Sequence, residues 1–410
     1  MAQPSWGVER FDGNPVLEPE SGHWWESKAV FNPGALYEAG RVHLVYRAIG
    51  DTDTSVLGYA SSPDGLHFDE RLEKPIYVPR EPFEGASSVS SRPISYGSSY
   101  VSGGGGKGGC EDPRLTRIED RVFMTYVAFD GYSHPRTALS SIAYDDFLAR
   151  NWRWQKPVLI SPPGVIDKNA CILPEKVNGK YVVFHRVFPD ILIDFLDDLD
   201  FDGKTKWLTG EFKIRTRADY WDSRKVAAGP PPIKTEKGWL LIYHAVGEQA
   251  PDSYKIGAML LDGQDPTRVR ARSPEPILEP RAWYETEGLK SNVIYPCGAA
   301  VIGERLFIYY GGADRVACAA SVNVDGLLER LIRARARVPA YTVAPPAETA
   351  APGATAEKRR RIQAYCFKCR TRRVMKNARA VTLKNGRPAM QGVCPECGTK
   401  MFRIGKGASR

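Results

Sequence analysis

Three separated stretches of the chain carry side chains that could act on a charged or polar substrate. GGGGKGGCEDPRL, from Gly103, ends with Glu111 and Asp112 directly before Pro113 and Arg114. KNACILPEK, together with the FHR that follows it, supplies Lys168, Asn169 and Arg186, and WDSRKVAAGPPPI with GWLLIYHAV supplies Lys225 and His244. A carboxyl group such as Asp112 can, when protonated, deliver a proton to a leaving oxygen. Several cations brought together form a place where a phosphate dianion can be held. Any one of these residues alone reads as readily as a solvated strand end. The chemistry therefore depends on elements that bring them to one point.

A repeat supplies such elements. RVHLVYRA from Arg41, RVFMTYVA from Arg121, KYVVFHRV from Lys180, GWLLIYHA from Gly238 and RLFIYYGG from Arg305 share one strand pattern, with starts 80, 59, 58 and 67 residues apart. Each follows a proline-containing segment (FNPGAL, CEDPRL, CILPEK, AGPPPI, IYPCGA) across a tight turn. PVLEP, PIYVP, PVLIS and PILEP recur at Pro15, Pro75, Pro157 and Pro276. A repeat built from short strands implies radial blades of antiparallel sheet, since one such sheet cannot bury both faces alone. Five copies predict an all-β fold, a five-bladed β-propeller; a two-sheet sandwich would leave the repetition unexplained. The first interval is about 20 residues longer than the others because of a Ser/Gly-rich insertion. Its glycines lack a following GKS or GKT and a helix, so they read as a flap or passive loop and not as a phosphate cradle.

Aligning the strands places Arg47, Val127, Arg186, His244 and Gly311 at one equivalent position, and the inner strands of a propeller converge on a central channel. The proline-containing segments and the residues just before them add Asn32, Asp112, Lys168 with Asn169, and Lys225. An ordinary inverting glycosidase calls for paired carboxylates. One acid set against Lys168, Arg186, Lys225 and His244 fits phosphate as the nucleophile.

At these residues the chain resembles the β-mannoside phosphorylases of glycoside hydrolase family 130, from about Asn14 to Leu331. The motifs that carry the resemblance are GCEDPR, KNACILPEK with FHR, WDSRKVAAGPPPI with GWLLIYHAV, WYETEG with SNVIYPCG, and YYGGADRV. The resemblance implies inverting phosphorolysis of short β-mannosides to α-mannose 1-phosphate, with inorganic phosphate as co-substrate and no catalytic metal. It implies Asp112 as general acid, acting through a sugar hydroxyl. It implies phosphate contacts from Arg186, Lys225 and His244, with Lys168 where several members carry arginine. That exchange keeps the charge and loses bidentate geometry. Asn32, Arg47 and Asp314 match positions that hold the mannosyl unit, and Asn169, Glu285 and Glu287 are grouped with them as substrate-binding candidates. Hydrolytic members use a carboxylate base, for which Glu285 and Glu287 stand first, so a β-mannoside hydrolase is the alternative. Trp24, Trp25, Tyr132, Trp221 and Trp283 offer stacking faces for sugar rings, or core packing.

Composition separates the tail from the rest. From Glu357 to Arg410 there are 16 Lys/Arg and 2 Asp/Glu, whereas the remainder holds 41 basic and 46 acidic residues. The formal charge of +9 thus belongs to the tail and says nothing of the main domain's substrate. Cys110, Cys171, Cys297 and Cys318 have no metal-ligand spacing and read as buried thiols of a reducing compartment. Cys366, Cys369, Cys394 and Cys397 form two CxxC pairs, the signature of a structural zinc ribbon. The expected organisation is a propeller over 1–337, a Pro/Ala-rich linker over 338–358 and a small zinc-ribbon-like domain over 359–410. A soluble, cytoplasmic enzyme without a membrane segment is expected, with homo-oligomerisation open. The basic tail could contact nucleic acid or protein, and a catalytically silent sugar-binding propeller tethered to a nucleic-acid-binding ribbon is a further alternative.

Overall fold

The computed structural model describes residues 6–85, 107–337, 363–366, 368–369, 371–382 and 388–404. The Ser/Gly-rich part of the insertion and the 338–358 linker lie outside these residues. The chain divides into two compact units, Met1–Tyr341 and Thr342–Arg410. Among the described residues no helix is long and apolar enough to cross a membrane.

The first unit is mostly β. Its inner strands are Ala29–Glu38, Gly109–Ile118, Asp167–Ile172, Lys225–Ala228 and Ile294–Ile302. Each pairs antiparallel with one of the repeated strands: Arg41–Ile49, Arg121–Phe129, Tyr181–Val187, Gly238–Gly247 and Arg305–Gly312. A third strand follows in every case, at Ser55–Ser62, Arg136–Ala143, Asp190–Leu196, Ala250–Leu261 and Val316–Asn323. Short outer pieces complete the five sets of strands, of which the first two are joined by the parallel pairing of Ser55 with Gly109 into one eight-stranded sheet. The last set is closed by Glu9–Arg10 from the start of the chain, paired to Ser321 and Ala320. The recurring Pro-x-x motifs lie along these outer edges, where Leu17 bridges Ala317, Tyr77 bridges Leu57, Leu159 pairs with Ala138, and Leu278 bridges Ile256.

Both faces of the repeated strands are buried, so they read as continuous apolar runs and not as alternating ones. Leu44 and Tyr46 pack toward the last set of strands, with Tyr309 and Ala319, while Val45 between them packs toward the second set, with Met124 and Tyr126. Further clusters join the second set to the third, the third to the fourth and the fourth to the last. The helix Val324–Arg337 adds Leu327, Leu328 and Leu331 to the last of these.

The inner strands approach closely enough to demand small residues. A Cβ on Gly34 would lie 2.5 Å from the Pro113 carbonyl oxygen, and one on Gly298 would lie 2.6 Å from that of Pro33. Gly109, at φ +109°, passes so near Ser55 that a Cβ would meet its carbonyl oxygen at 2.2 Å. The described end of the glycine run thus serves strand approach.

The second unit contains the hairpin Gln363–Cys366 with Thr371–Val374 and the three-stranded sheet Lys376–Thr382, Pro388–Val393 and Lys400–Ile404. Among its described residues the buried cluster is small: Ala364, Cys366, Met375, Cys394 and Met401.

Candidate active site

A repeated irregularity of the inner strands builds the site. Pairing shifts register between Phe31 and Gly34, between Glu111 and Arg114, and between Lys168 and Cys171. Within each shift one residue has positive φ: Asn32 at 50°, Asp112 at 53° and Asn169 at 61°. A bulge bends the strand and re-aims a side chain, and Asn and Asp tolerate the left-handed region better than most residues. One local device thus turns three polar groups out of the strand alternation. Asn32 Nδ2 donates to Asp112 Oδ1 at 2.7 Å, Arg186 Nε donates to Asn169 Oδ1 at 2.9 Å, and Asn169 Nδ2 donates to the Tyr295 hydroxyl.

The register also places the aligned positions of the second strands. Arg47, Val127, Arg186, His244 and Gly311 lie opposite Phe31, Glu111, Lys168, Ala227 and Tyr295. Arg47 is wholly buried, with NH1 3.5 Å from Asp112 Oδ1 and NH2 3.2 Å from Glu111 Oε1, and its Nε donates to Ser55 Oγ at 3.0 Å. Burial alone would lower its guanidinium, but Glu111 and Asp112 hold it above the ordinary value. Glu111, to which the motifs assign no role, is buried between Arg47 and Lys168, whose Nζ lies 3.7 Å from Oε2. Burial lowers the Lys168 ammonium, with Glu111 opposing.

Among the described residues Arg186, Lys225 and His244 form no ion pair. Lys225 donates to the Tyr254 hydroxyl, and its Nζ stands 4.1 Å from that ring's centre. His244 is buried, with its ring 4.2 Å from that of Tyr295, and its Nδ1 has no hydrogen-bond partner among the described residues. Burial, then the charges of Arg114 and Lys225, drive His244 well below the ordinary histidine value, so its ring is neutral near pH 7. Burial, then Arg186 and Lys290, drives Lys225 well down. Positive charge thus crowds Lys225 and His244. Asp314, at φ 53°, is also buried; desolvation pushes its carboxyl up to about 6 against the pull of Lys290.

Glu285 is not brought into this group. Its carboxylate is fully buried and accepts from Arg10 Nε at 2.7 Å and NH2 at 2.8 Å, from the Tyr310 hydroxyl at 2.9 Å, and from the backbone N–H groups of Arg281 and Ala282 at 2.7 and 3.0 Å. A carboxylate so engaged is a scaffold group. Glu287 is exposed at the C-terminal end of the short helix Trp283–Thr286. Of the aromatic candidates, Trp24 and Trp283 are exposed, Trp25 is buried beside Tyr46, Trp221 stacks on Tyr243 and Tyr132 is half-buried. The four scattered cysteines are all buried.

In the second unit the sulfur atoms of Cys366, Cys369, Cys394 and Cys397 all lie within 4.8 Å of one another. The Cys366–Cys397 and Cys369–Cys394 separations are 3.4 and 3.9 Å. Four thiolates at about 2.3 Å from a tetrahedral zinc stand about 3.8 Å apart, so the set fits that ion.

Comparison with known proteins places the first unit. Residues 8–333 match the Glyco_hydro_130 family model, described as beta-1,4-mannooligosaccharide phosphorylase. The chain belongs to glycoside hydrolase family 130. It is similar to the 1,2-beta-oligomannan phosphorylase of Thermoanaerobacter sp. (strain X514), at 37% identity over 316 residues that cover 75% of this chain and 95% of the relative. Among solved structures, the beta-1,2-mannobiose phosphorylase from Listeria innocua, in complex with beta-1,2-mannobiose, has a TM-score of 0.61 at 26% identity, covering 79% of this chain and 99% of that one. A family 130 structure described among glycoside hydrolases that target beta-1,2 mannosidic linkages in Candida mannan has a TM-score of 0.62 at 26% identity, covering 78% and 94%. The family thus includes both reaction types, and fold alone does not separate them. Residues 365–404 match a domain of unknown function, DUF5679.

Proposed function

We propose that this member of family 130 catalyses inverting phosphorolysis of β-mannosides, giving α-mannose 1-phosphate and a shortened acceptor. A phosphate oxygen attacks the anomeric carbon from the face opposite the glycosidic oxygen; the bond to that oxygen breaks, and a proton from Asp112, relayed through a sugar hydroxyl, goes to it. Asn32, Arg47, Asn169 and Asp314 hold the mannosyl unit. Arg186, Lys225 and His244 receive the phosphate, with Lys168 balanced between it and Glu111.

The observation that carries this reading is the grouping of Arg186, Lys225 and His244, which have no carboxylate partner among the described residues, on sheets beside the strand that bears Asp112. A hydrolase needs a base, and the first candidate, Glu285, is held in five contacts elsewhere. The naming of the Thermoanaerobacter and Listeria relatives supports phosphorolysis.

The supporting scaffold is read as a five-bladed β-propeller whose first strands line the axis. The four tail cysteines are assigned to a structural zinc, which fixes the fold of that unit and takes no part in the reaction. Buried unpaired thiols suit a reducing, cytoplasmic setting. The deciding experiment incubates a panel of β-1,2- and β-1,4-mannosides with and without phosphate and assays mannose 1-phosphate against free mannose. Free mannose released at an undiminished rate without phosphate would overturn the reading.

A further inference from the structure

The segment after the Trp283–Thr286 helix crosses from one part of the site to the other. Lys290 N–H donates to the Ala313 carbonyl at 3.0 Å, one residue before Asp314. Two residues on, the Asn292 carbonyl accepts from Tyr254 N–H at 3.0 Å, and Val293 bridges Tyr254. Val293 N–H in turn donates to the Glu285 carbonyl at 3.1 Å, so the buried Glu285–Arg10 pair anchors the turn that presents Lys290. The Lys290 Nζ stands 3.4 Å from the Tyr254 hydroxyl and 4.5 Å from the centre of its ring. The same ring and hydroxyl already carry Lys225. Arg224 and Asp252 line the same pocket; Arg224 is paired with Glu248 at 3.1 Å, and Asp252 makes no ion pair among the described residues. Among the described residues neither Lys225 nor Lys290 has a carboxylate partner.

Two ammonium groups that share one phenol repel each other, and one neutral hydroxyl cannot balance them. A doubly charged anion can. We propose that Lys290 is a further phosphate-binding residue, forming with Lys225 a two-lysine cradle across Tyr254 that takes inorganic phosphate. The proposal rests on the phosphorylase reading and adds a residue that the motifs do not mark.

The test uses the full chain with Lys290→Gln and Lys290→Arg. A lost charge-assisted contact predicts a phosphate KM raised about tenfold or more in Lys290→Gln, with the mannoside KM and the kcat at saturating phosphate within about twofold of wild type. Lys290→Arg recovers most of the phosphate KM, and the thermal upshift induced by inorganic phosphate shrinks in Lys290→Gln alone. An unchanged phosphate KM in Lys290→Gln overturns the proposal, as does a rise confined to the mannoside KM, which would make Lys290 a sugar ligand. Equal loss in both variants with a lowered melting temperature also overturns it, in favour of a structural role. Failure of the underlying reading has a separate signature: wild type that hydrolyses without phosphate.

Discussion

Asp112 and Asp314 both point into the buried polar centre, yet their surroundings fit them for different work. Asp112 is gripped at Oδ1 by Asn32 and Arg47, an arrangement that sets its direction. Asp112→Asn keeps an acceptor for these donors but cannot release a proton. Turnover should fall by about 10² to 10⁴ while mannoside affinity, measured by calorimetry, holds; near-normal turnover would remove Asp112 from the mechanism. Asp314 is held up to about 6 by burial, so the folded protein binds its proton more tightly than the unfolded chain does. Its contribution to stability therefore falls as pH rises from about 4 to about 6, and the penalty persists above that. Asp314→Asn should match wild type near pH 4 and exceed it at pH 7.5, by up to about 3 kcal/mol. Denaturant titration at the two pH values checks this, and no gain at pH 7.5 would contradict a destabilised Asp314. The same variant should lose mannoside affinity, because the ionised carboxylate is the better acceptor for sugar hydroxyls.

At the scale of elements, the sheet built on Asp167–Ile172 carries its cationic residues on a charged staple. His185 lies between Asp167 Oδ2 at 2.7 Å and Asp194 Oδ2 at 2.8 Å, so one ring ties the inner, second and third strands. Burial alone would lower this imidazole, but the two aspartates, Asp167 foremost, push it up to about 9. Its stabilisation is full below the unfolded value of about 6.5 and is lost as pH rises through about 9. His185→Gln should cost roughly 3 to 5 kcal/mol at pH 6, with the difference from wild type shrinking by pH 10. A difference that stays constant over that range would mean an uncharged ring. Lys168 and Arg186 are the chain neighbours of Asp167 and His185, so phosphate affinity should weaken with the staple. The repeat, the order of strands within a sheet and the equivalence of Arg47, Arg186 and His244 were legible in the sequence, because apolar periodicity and turn chemistry are local. The bulges were half legible: FNPG, EDPR and KNAC show Asn or Asp where φ turns positive, but not that pairing shifts there. The role of Glu285 was not, since its partner Arg10 is 275 residues away. Lys290 was hidden for the same reason, for a lone lysine in a turn signals nothing until Tyr254 is placed beside it.

Charge and chemistry divide the whole molecule along the same line. Every residue of the candidate site, from Asn32 to Asp314, lies in the unit Met1–Tyr341, where acids slightly outnumber bases, while the excess of positive charge and all four clustered cysteines lie in Thr342–Arg410. The tail unit buries only six apolar residues among those described, two of them cysteines and two methionines. So small a core needs a further source of folding energy, and a tetrahedral thiolate site supplies it. Two consequences follow for the full-length protein. Elemental analysis should find about one zinc per chain, and a strong chelator or Cys394→Ser should render the tail protease-sensitive. The phosphorolysis rate should remain within about twofold of the untreated enzyme, since every residue assigned to proton donation and phosphate binding belongs to the other unit. Loss of turnover in step with zinc release would show that the tail completes the site, and the division of labour between the two units would have to be given up.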